Sequence, residues 1–540
     1  YMLIMLGERY GWIPSEQTIK NALESRPDFA LEELENSVTA LEIEFGALSK
    51  TTDKDKIFVY FREMEQMPSN DYKSEDEHHA KKLAKLKERV RRLVPDRVKT
   101  YRLSWDEKNQ KMCGVDAFAQ MVIDDIGQTM EKIWSQKEKV TDFEREVQLH
   151  VNYMRQKAEM CYAKEELLNT CIQTLENGTH LLALTGVSGC GKSTTMGALA
   201  SILKECEVHV LPIFCGHTAR TESALGLVKH MAYYIEALFG IVHYEETQRD
   251  ISEDMWLGRL KELVELYSKE QDIPLFIAID AIDQLTADHI RNSLKFIPDN
   301  VDRLNSKVYM VLSCLEDFEL AAFPVKIPVP MLKSESKPQA IKGILKKNRR
   351  ELDDDVIQKI MGKQASDSPL YLTLLIQRLL MMNKNDFDDI MADGDGMSAI
   401  TKHQLEIVEH CGEDVSNICR EIIDVASKRI GGAFAKQAID FISLSQHGLR
   451  ENDLEGLLLD SGIPWNRLEF SLFMNYLRNV FVLRDDGCYD FSHKIFRQEF
   501  VCEPDREKEL HGKLFRWMEH LPENDFLRER ELLIHCMASR

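Results

Sequence analysis

The sequence predicts a multidomain α/β protein, and three observations carry that prediction. Apolar, strand-like runs alternate with helical segments up to about residue 135 and again over 180–330, which is typical of parallel α/β sheets. A glycine-rich motif stands between a predicted strand and a predicted helix of the second region. After residue 330 helical periodicity dominates the rest of the 540 residues.

Composition limits the function classes. The chain has 69 Lys and Arg against 90 Asp and Glu, and its formal net charge of −21 disfavours non-specific nucleic-acid binding. No apolar run approaches the roughly 18 residues of a membrane span, so we expect no membrane association. The 12 cysteines are scattered without a C-x-x-C motif. We therefore expect reduced thiols in a cytoplasmic protein, without disulfides or a zinc site.

Residues 1–138 are predicted to form the first α/β domain. Strands are expected at Tyr1–Leu6, Lys56–Phe61 and Lys99–Leu103, and helices at Leu31–Leu48, Glu75–Leu93 and Val115–Trp134. Because a buried strand stands at residue 1, we expect an earlier part of this domain to be missing from the sequence. A polar, helical linker is predicted over 139–178.

The second α/β domain is predicted over 179–330. Its apolar strands are expected at Leu181–Leu184, Glu207–Phe214, Leu275–Ile279 and Lys307–Leu312. A helical domain follows over 331–400. Segment 401–505 combines short helices with a hairpin, Val480–Leu483 and Cys488–Phe491, joined by an Asp-Gly turn; this pattern predicts a winged helix. Residues 506–540 are helical and predict the start of a C-terminal repeat region.

Residues 186–193 read Gly-Val-Ser-Gly-Cys-Gly-Lys-Ser and match the phosphate-binding pattern G-x-x-x-x-G-K-[ST] in full. Glycines let backbone N–H groups curl around phosphate oxygens, and the N-terminus of the next helix adds its positive dipole end. Lys192 is expected to reach the β- and γ-phosphates, and Ser193 to bind Mg²⁺. The candidate nucleotide-binding residues here are Gly186, Ser188, Gly189, Cys190, Gly191, Lys192, Ser193 and Thr194.

Two acids follow the strand Leu275–Ile279 of the second domain. Asp280 ends the strand, where we expect it to hold Mg²⁺ through water beside the phosphate loop. Asp283 is the candidate that orients or deprotonates the attacking water. Its spacing fits a helix N-cap or a solvated turn acid equally well.

The motifs, the helical segment and the hairpin together resemble the signal-transduction ATPases with numerous domains (STAND), specifically the NACHT type. Asp280–Leu285, which reads Asp-Ala-Ile-Asp-Gln-Leu, looks like the subgroup of telomerase-associated and nephrocystin-type proteins. Leu6–Pro14 and Ser37–Ile43 resemble the TIR-like domain placed ahead of NACHT modules in that subgroup.

The resemblance implies further site residues. Pro369, in Ser-Pro-Leu-Tyr, matches a proline that contacts the base or ribose, and it also fits an ordinary helix start. His493 matches the winged-helix histidine that contacts the β-phosphate of ADP, with a core histidine as the alternative. Segment 313–316 lacks the arginine that many relatives use to sense the γ-phosphate, and Lys164 stands where a base-binding arginine is common.

The function implied by the resemblance is an NLR-like switch with slow, Mg²⁺-dependent ATP hydrolysis. ADP holds the nucleotide-binding, helical and winged-helix modules closed until a C-terminal region senses a trigger. Exchange for ATP then permits homo-oligomerisation, which clusters the N-terminal effector domain, in innate immune or anti-phage defence. The alternatives are a fast-turnover P-loop ATPase or kinase, and a winged-helix regulator that binds nucleic acid.

The N-terminal domain has a candidate site of its own. TIR-type NADases place a catalytic glutamate on a helix a few residues after a serine, and Ser37 and Glu42 have a similar spacing. A helical surface acid, or an acid paired with Arg9, is the alternative for Glu42.

Overall fold

The computed structural model describes residues 2–15, 36–46, 56–69, 72–74, 76–136, 141–241, 252–286, 288–303, 306–318, 323, 325–393, 397–484, 486–500 and 503–540. The chain divides into two compact units, Tyr1–Val140 and Thr141–Arg540. Each unit is described by itself.

The first unit is an α/β fold around a four-stranded sheet in the order β1-β2-β3-β4. Its strands are β1 (Met2–Leu6), β2 (Ile57–Met64), β3 (Val98–Asp106) and β4 (Lys111–Cys113). The helices in its described residues are α1 (Val38–Gly46), α2 (Glu77–Leu93) and α3 (Val115–Gln136). The first three strands are parallel, and β4 runs antiparallel to β3.

Strand β2 is covered on both faces, which explains its continuous apolar sequence. Ile57, Val59 and Phe61 pack with residues of α1 and α2 on one face. On the other face Tyr60 packs with α3, where the ring of Phe118 meets it edge-on at 5.4 Å. The sheet is therefore the buried middle layer of this unit.

Two features of the first unit differ from the sequence prediction. The helix expected from Leu31 is not helical at Asn36 and Ser37 and begins at Val38, while residues 31–35 lie outside the described part. Ser37 sets the start of this helix, because its Oγ accepts the N–H of Ala40 at 3.3 Å, as an N-cap does. Strand β4 is an addition, since a three-residue edge strand leaves almost no periodic signal.

The second unit begins with an α/β fold of five parallel strands in the order β6-β7-β8-β5-β9. The strands are β5 (Leu181–Thr185), β6 (His209–Phe214), β7 (Leu275–Asp280), β8 (Val308–Cys314) and β9 (Val325–Pro328). The helices described here are α4 (Asp142–Ala158), α5 (Glu165–Glu176), α6 (Lys192–Lys204), α7 (Ala224–Leu238), α8 (Glu253–Glu270) and α9 (His289–Asn292). An apolar core lies on each face of the sheet.

The four strands predicted for this fold are confirmed, with ends that shift by one or two residues. Strand β9 was not predicted, because its four residues alternate in exposure and end in proline. The segment predicted as a linker forms α4 and α5, and α4 packs along α6, the helix that follows the glycine motif.

After residue 330 the second unit is mainly helical. The helices described are α10 (Lys337–Lys347), α11 (Asp354–Met361), α12 (Pro369–Leu380), α13 (Lys384–Asp393), α14 (Met397–His410), α15 (Val415–Ile430), α16 (Gly432–Leu444), α17 (Glu451–Asp460), α18 (Arg467–Tyr476), α19 (Lys494–Glu499), α20 (Pro504–Glu519) and α21 (Phe526–Ala538). No helix among the described residues is long and apolar enough to cross a membrane.

The predicted hairpin is confirmed. Strands β10 (Leu449–Arg450), β11 (Phe481–Leu483) and β12 (Cys488–Phe491) form an antiparallel sheet in the order β10-β12-β11. Gly487 has a φ of +79°, which the Asp-Gly turn between β11 and β12 requires. We call residues 432–500 the hairpin region. It shares one hydrophobic core, which runs from Leu332 to Leu527, with the helices before and after it.

Candidate nucleotide-binding site

The glycine motif forms the loop between β5 and α6. Gly189 and Gly191 have φ values of +79° and +99°, which glycine adopts at little cost. At Gly186 an added Cβ would lie 2.8 Å from the Sγ of Cys190, so the loop leaves no room for a side chain there. The loop therefore has its curved shape because of its three glycines.

The polar residues of this loop surround a cavity of about 550 Å³. The Nζ of Lys192 donates to the carbonyl oxygens of Gly186 and Val187, at 2.8 and 2.9 Å. The hydroxyl of Thr194 donates to the carbonyl of Gly191 at 2.9 Å. Of the eight loop residues predicted to bind nucleotide, the ones that line the cavity are Ser188, Gly189, Gly191, Lys192, Ser193 and Thr194. Gly186 and Cys190 are buried behind it and shape the loop.

Asp280 lies at the carboxyl end of β7 and is 4% exposed. Burial raises the pKa of its carboxyl group, against the hydrogen bonds from Ser193 and Ser313 and the charges of Lys157 and Lys192. Asp280 and Ser193 thus lie together, as the sequence predicted for a magnesium site.

Asp283 lies in a short turn after β7, Ile282–Gln284, and lines the 550 Å³ cavity. Its Oδ1 accepts the N–H of Leu315 at 3.3 Å, which ties this turn to the segment after β8. Asp283 thus lies at the cavity, as a residue that acts on the attacking water must, and it also makes the backbone contact expected of a turn acid. Its role in hydrolysis therefore stays a prediction.

Pro369 is the first residue of α12, and it lines the same cavity. The hydroxyl of Ser368 donates to the carbonyl of Gly189 at 3.4 Å, and a Cβ on Gly189 would lie 3.2 Å from the Cβ of Leu370. The start of this helix therefore rests on the phosphate loop. Lys164, on the same side, is buried and donates from Nζ to the carbonyl of Pro330.

His493 lines this cavity from the hairpin region. Its ring also meets that of Phe496 edge-on at 5.6 Å, so the contact expected of a core histidine is present as well. Burial, together with the charges of Lys157 and Lys192, lowers the pKa of His493 to about 3. At neutral pH the imidazole is uncharged, with one N–H to donate.

A second cavity of about 460 Å³ adjoins the first and is lined by Asp280, Ser193 and residues of the hairpin region. Here Glu222, which follows β6, accepts hydrogen bonds from Arg484 of the hairpin region and from Arg530 of α21. The Nε2 of His447 lies 3.5 Å from the Oε2 of Glu222. We call these four side chains the Glu222 clasp.

Charge in the Glu222 clasp is well compensated. Burial opposes the charge of Glu222, but hydrogen bonds from His447 and Arg484 outweigh it and lower its pKa to about 2. Burial likewise opposes the charge of His447, but the carboxylates of Glu222 and Glu531 raise its pKa to about 9. Glu531 accepts from the His447 Nδ1 at 2.9 Å. The clasp is therefore ionised at neutral pH.

Sequence reasoning missed the clasp, because its members are single charged residues up to 308 positions apart.

In the first unit, Glu42 is exposed on α1, whereas Ser37 is buried. The eleven cysteines of the described residues are free thiols. In the same part of the chain, no cluster of three or more His, Cys, Asp or Glu side chains fits a metal ion.

A family model described as "Nephrocystin 3, N-terminal" matches residues 164–314, which include the glycine motif and Asp280. Among solved structures the chain is similar to the Walker-type ATPase paby2304 of Pyrococcus abyssi, with 13% identity over 63% of this chain and 96% of that one and a TM-score of 0.31.

It is also similar to Cdc6p from Pyrobaculum aerophilum, with 15% identity over 63% and 93% of the two chains and a TM-score of 0.31. The chain is similar as well to the RuvB Holliday junction branch migration motor of Thermotoga maritima, with 15% identity over 63% of this chain and 96% of that one and a TM-score of 0.28. TM-scores this low support no functional comparison. No curated protein matches the chain.

Proposed function

We propose that this chain is a nucleotide-controlled switch, an ATPase of the NACHT type that ADP holds closed and ATP releases. One observation carries the proposal. The hairpin region, which we infer to be a winged helix, lines both cavities beside the phosphate loop and is bound to the α/β fold through the Glu222 clasp. A cover held by polar contacts can open or close with the nucleotide, which is what a switch requires.

The site fits a nucleotide with Mg²⁺. Positive-φ glycines curve the loop, which lines the 550 Å³ cavity at the start of α6, and Lys192 supplies a cation. Ser193 and Asp280 would hold Mg²⁺, which when bound neutralises phosphate charge. Pro369, which starts the helix beside the phosphate loop, would contact the base or ribose.

The residues of the site suggest slow hydrolysis. Asp283 would accept a proton from an attacking water or orient it, but its Oδ1 already accepts a backbone N–H. His493, uncharged, would donate a hydrogen bond to the β-phosphate of ADP. The nucleotide then sets which conformation is populated rather than driving rapid turnover.

The closed state is held by contacts of different strength. The helices and the hairpin region share one apolar core, so they would move as one body. Their contact with the α/β fold at the Glu222 clasp is polar and partly exposed, with 19% of the Glu222 side chain open to solvent. Such a contact releases more easily than an apolar core.

The rest of the proposal follows the family resemblance. ATP-bound copies would form homo-oligomers, a C-terminal region would sense the trigger, and the first unit would be the clustered effector in a cytoplasmic defence response. For that unit we propose NAD⁺ consumption through Glu42. NAD⁺ loss in the assembled protein, absent in Glu42→Ala, would support it, and an equal rate in the variant would contradict it.

The switch is tested by breaking the clasp. Glu222→Gln keeps the shape of the side chain but removes the charge that pairs with Arg484 and Arg530. We therefore expect ADP to dissociate faster and oligomers to form when ATP is added. Bound ADP after gel filtration and mass by light scattering measure both. Glu265→Gln is the matched control, since Glu265 is exposed on α8 and pairs with Lys269 of the same helix. A Glu222 variant that keeps ADP and stays monomeric with ATP would contradict the proposal.

A further inference from the structure

Lys157 is a basic residue of α4 that lies directly beside the phosphate loop. An added Cβ on Gly197 of α6 would come within 2.9 Å of the Cβ of Lys157 and 2.8 Å of the carbonyl oxygen of Met154. The two helices therefore touch at Gly197. Ser193 stands one turn before Gly197 on the same face of α6, so Lys157 and Ser193 face the same space.

An aromatic side chain orients the ammonium group. The Nζ of Lys157 stands 4.8 Å from the ring centroid of Tyr153, one turn earlier on α4. That ring stacks on His217 at 4.2 Å and meets Phe214 edge-on at 4.8 Å, which fixes its position. A cation over an aromatic face is held in a defined place.

The charge of Lys157 is retained at neutral pH. Burial opposes it, but the Tyr153 hydroxyl and the Asp280 carboxylate outweigh burial and raise the pKa of Lys157. The same charge contributes to the lowered pKa values of His217 and His493.

Lys157 also stands where the two cavities meet. The 550 Å³ cavity contains the phosphate loop and Pro369, and the 460 Å³ cavity contains Asp280. Lys157, Ser193 and His493 line both. Because Ser193 of the phosphate loop lines both cavities, a phosphate chain that the loop binds would extend toward this junction.

We propose that Lys157 binds the terminal phosphate of ATP and thereby distinguishes ATP from ADP. The proposal rests on the nucleotide site proposed above and adds a residue to it. Lys192 supplies one cation from the loop, and Lys157 supplies a second from the opposite side. With ADP no third phosphate reaches Lys157, whose ammonium then stays over the ring of Tyr153.

The test compares two nucleotides on the 540-residue chain. Binding of ADP and of the non-hydrolysable β,γ-imido analogue of ATP, both with Mg²⁺, is measured by calorimetry. For Lys157→Met, which keeps the length of the side chain, we expect about a ten- to hundredfold loss for the ATP analogue and less than about a threefold loss for ADP. Lys157→Arg keeps the charge and should restore much of the difference.

Controls separate this proposal from its premise. Arg155→Met changes an exposed cation of the same helix and should leave both affinities unchanged. Equal losses for both nucleotides in Lys157→Met, or no loss in either, would overturn the proposal. If wild type binds neither nucleotide, the site itself fails. Thermal melting shows whether Lys157→Met is folded. If it is not, Lys157→Gln, which also removes the charge but keeps a polar end, takes its place with the same expected result.

Discussion

The two sides of the nucleotide cavity are built differently. On the loop side, the shape comes from backbone: positive-φ glycines, the start of α6 and the end of β7. On the hairpin side, the contacts come from side chains: His493 at the cavity and the Glu222 clasp next to it. The loop side is therefore expected to keep its shape under changes of pH or charge that would loosen the hairpin side.

This difference fits the switch proposed above. A rigid side binds phosphate in both states, whereas a releasable side reports which nucleotide is bound. The four predictions below change one side at a time.

Lys192→Ala should remove nucleotide binding. Two hydrogen bonds from a charged group are worth about 3–6 kcal/mol, so affinity for ADP and ATP should fall a hundredfold or more. Isothermal titration measures both. Lys204→Ala, an exposed lysine at the other end of α6, is the control. Unchanged affinity in Lys192→Ala would show that the loop side does not bind the nucleotide.

Asp283→Asn should slow hydrolysis without weakening binding. If the carboxylate handles the attacking water, its loss costs about a hundredfold in rate. Single-turnover phosphate release gives the rate, and calorimetry gives the affinity. Asp299→Asn changes an exposed acid that pairs with Lys261 and should have neither effect. Full activity of the Asp283 variant would leave this residue as a turn acid that binds Leu315.

His493→Ala should open the hairpin side. A hydrogen bond to a charged phosphate is worth about 2 kcal/mol, and its loss shifts the closed-to-open ratio roughly thirtyfold. We expect spontaneous oligomers and loss of ADP during gel filtration. His520→Ala, which changes an exposed histidine at the C-cap of α20, serves for comparison. A monomeric variant that binds ADP as tightly as wild type would show that His493 is a core residue.

The Glu222 clasp should weaken at high pH. A raised pKa at His447, about 9, gives stability that is complete below the unfolded value of about 6.5 and is lost as pH rises through 9. The lowered pKa of Glu222, about 2, gives stability above about 4.5 that is lost only as pH falls through 2.

Between pH 7 and 9.5 only the His447 contribution declines. The rate of ADP release should therefore rise about two- to tenfold over this range. Stopped-flow release of a fluorescent ADP measures it. In His447→Asn the added rise should disappear, and an identical pH profile in both proteins would show that the clasp does not limit release.

The sequence by itself determined the loop side of the site. Strand β5, the glycine motif and α6 are consecutive, as are β7 and Asp280, so local periodicity and residue type were enough to place them. The hairpin was predictable for the same reason, from two short apolar runs and an Asp-Gly turn. The sequence also predicted that both faces of the sheet are buried, because fully buried parallel strands are apolar throughout.

Only the tertiary structure decided the other side. Glu222, Arg484 and Arg530 look in the sequence like ordinary solvated charges, and Lys157 like one basic residue of a polar linker. They meet because the shared core carries the hairpin region and α21 to the edge of the α/β fold, and because Gly197 lets α4 touch α6. Such pairings span 262 and 308 residues. No local pattern encodes them, since the free energy that brings the partners together comes from burying apolar surface elsewhere in the chain.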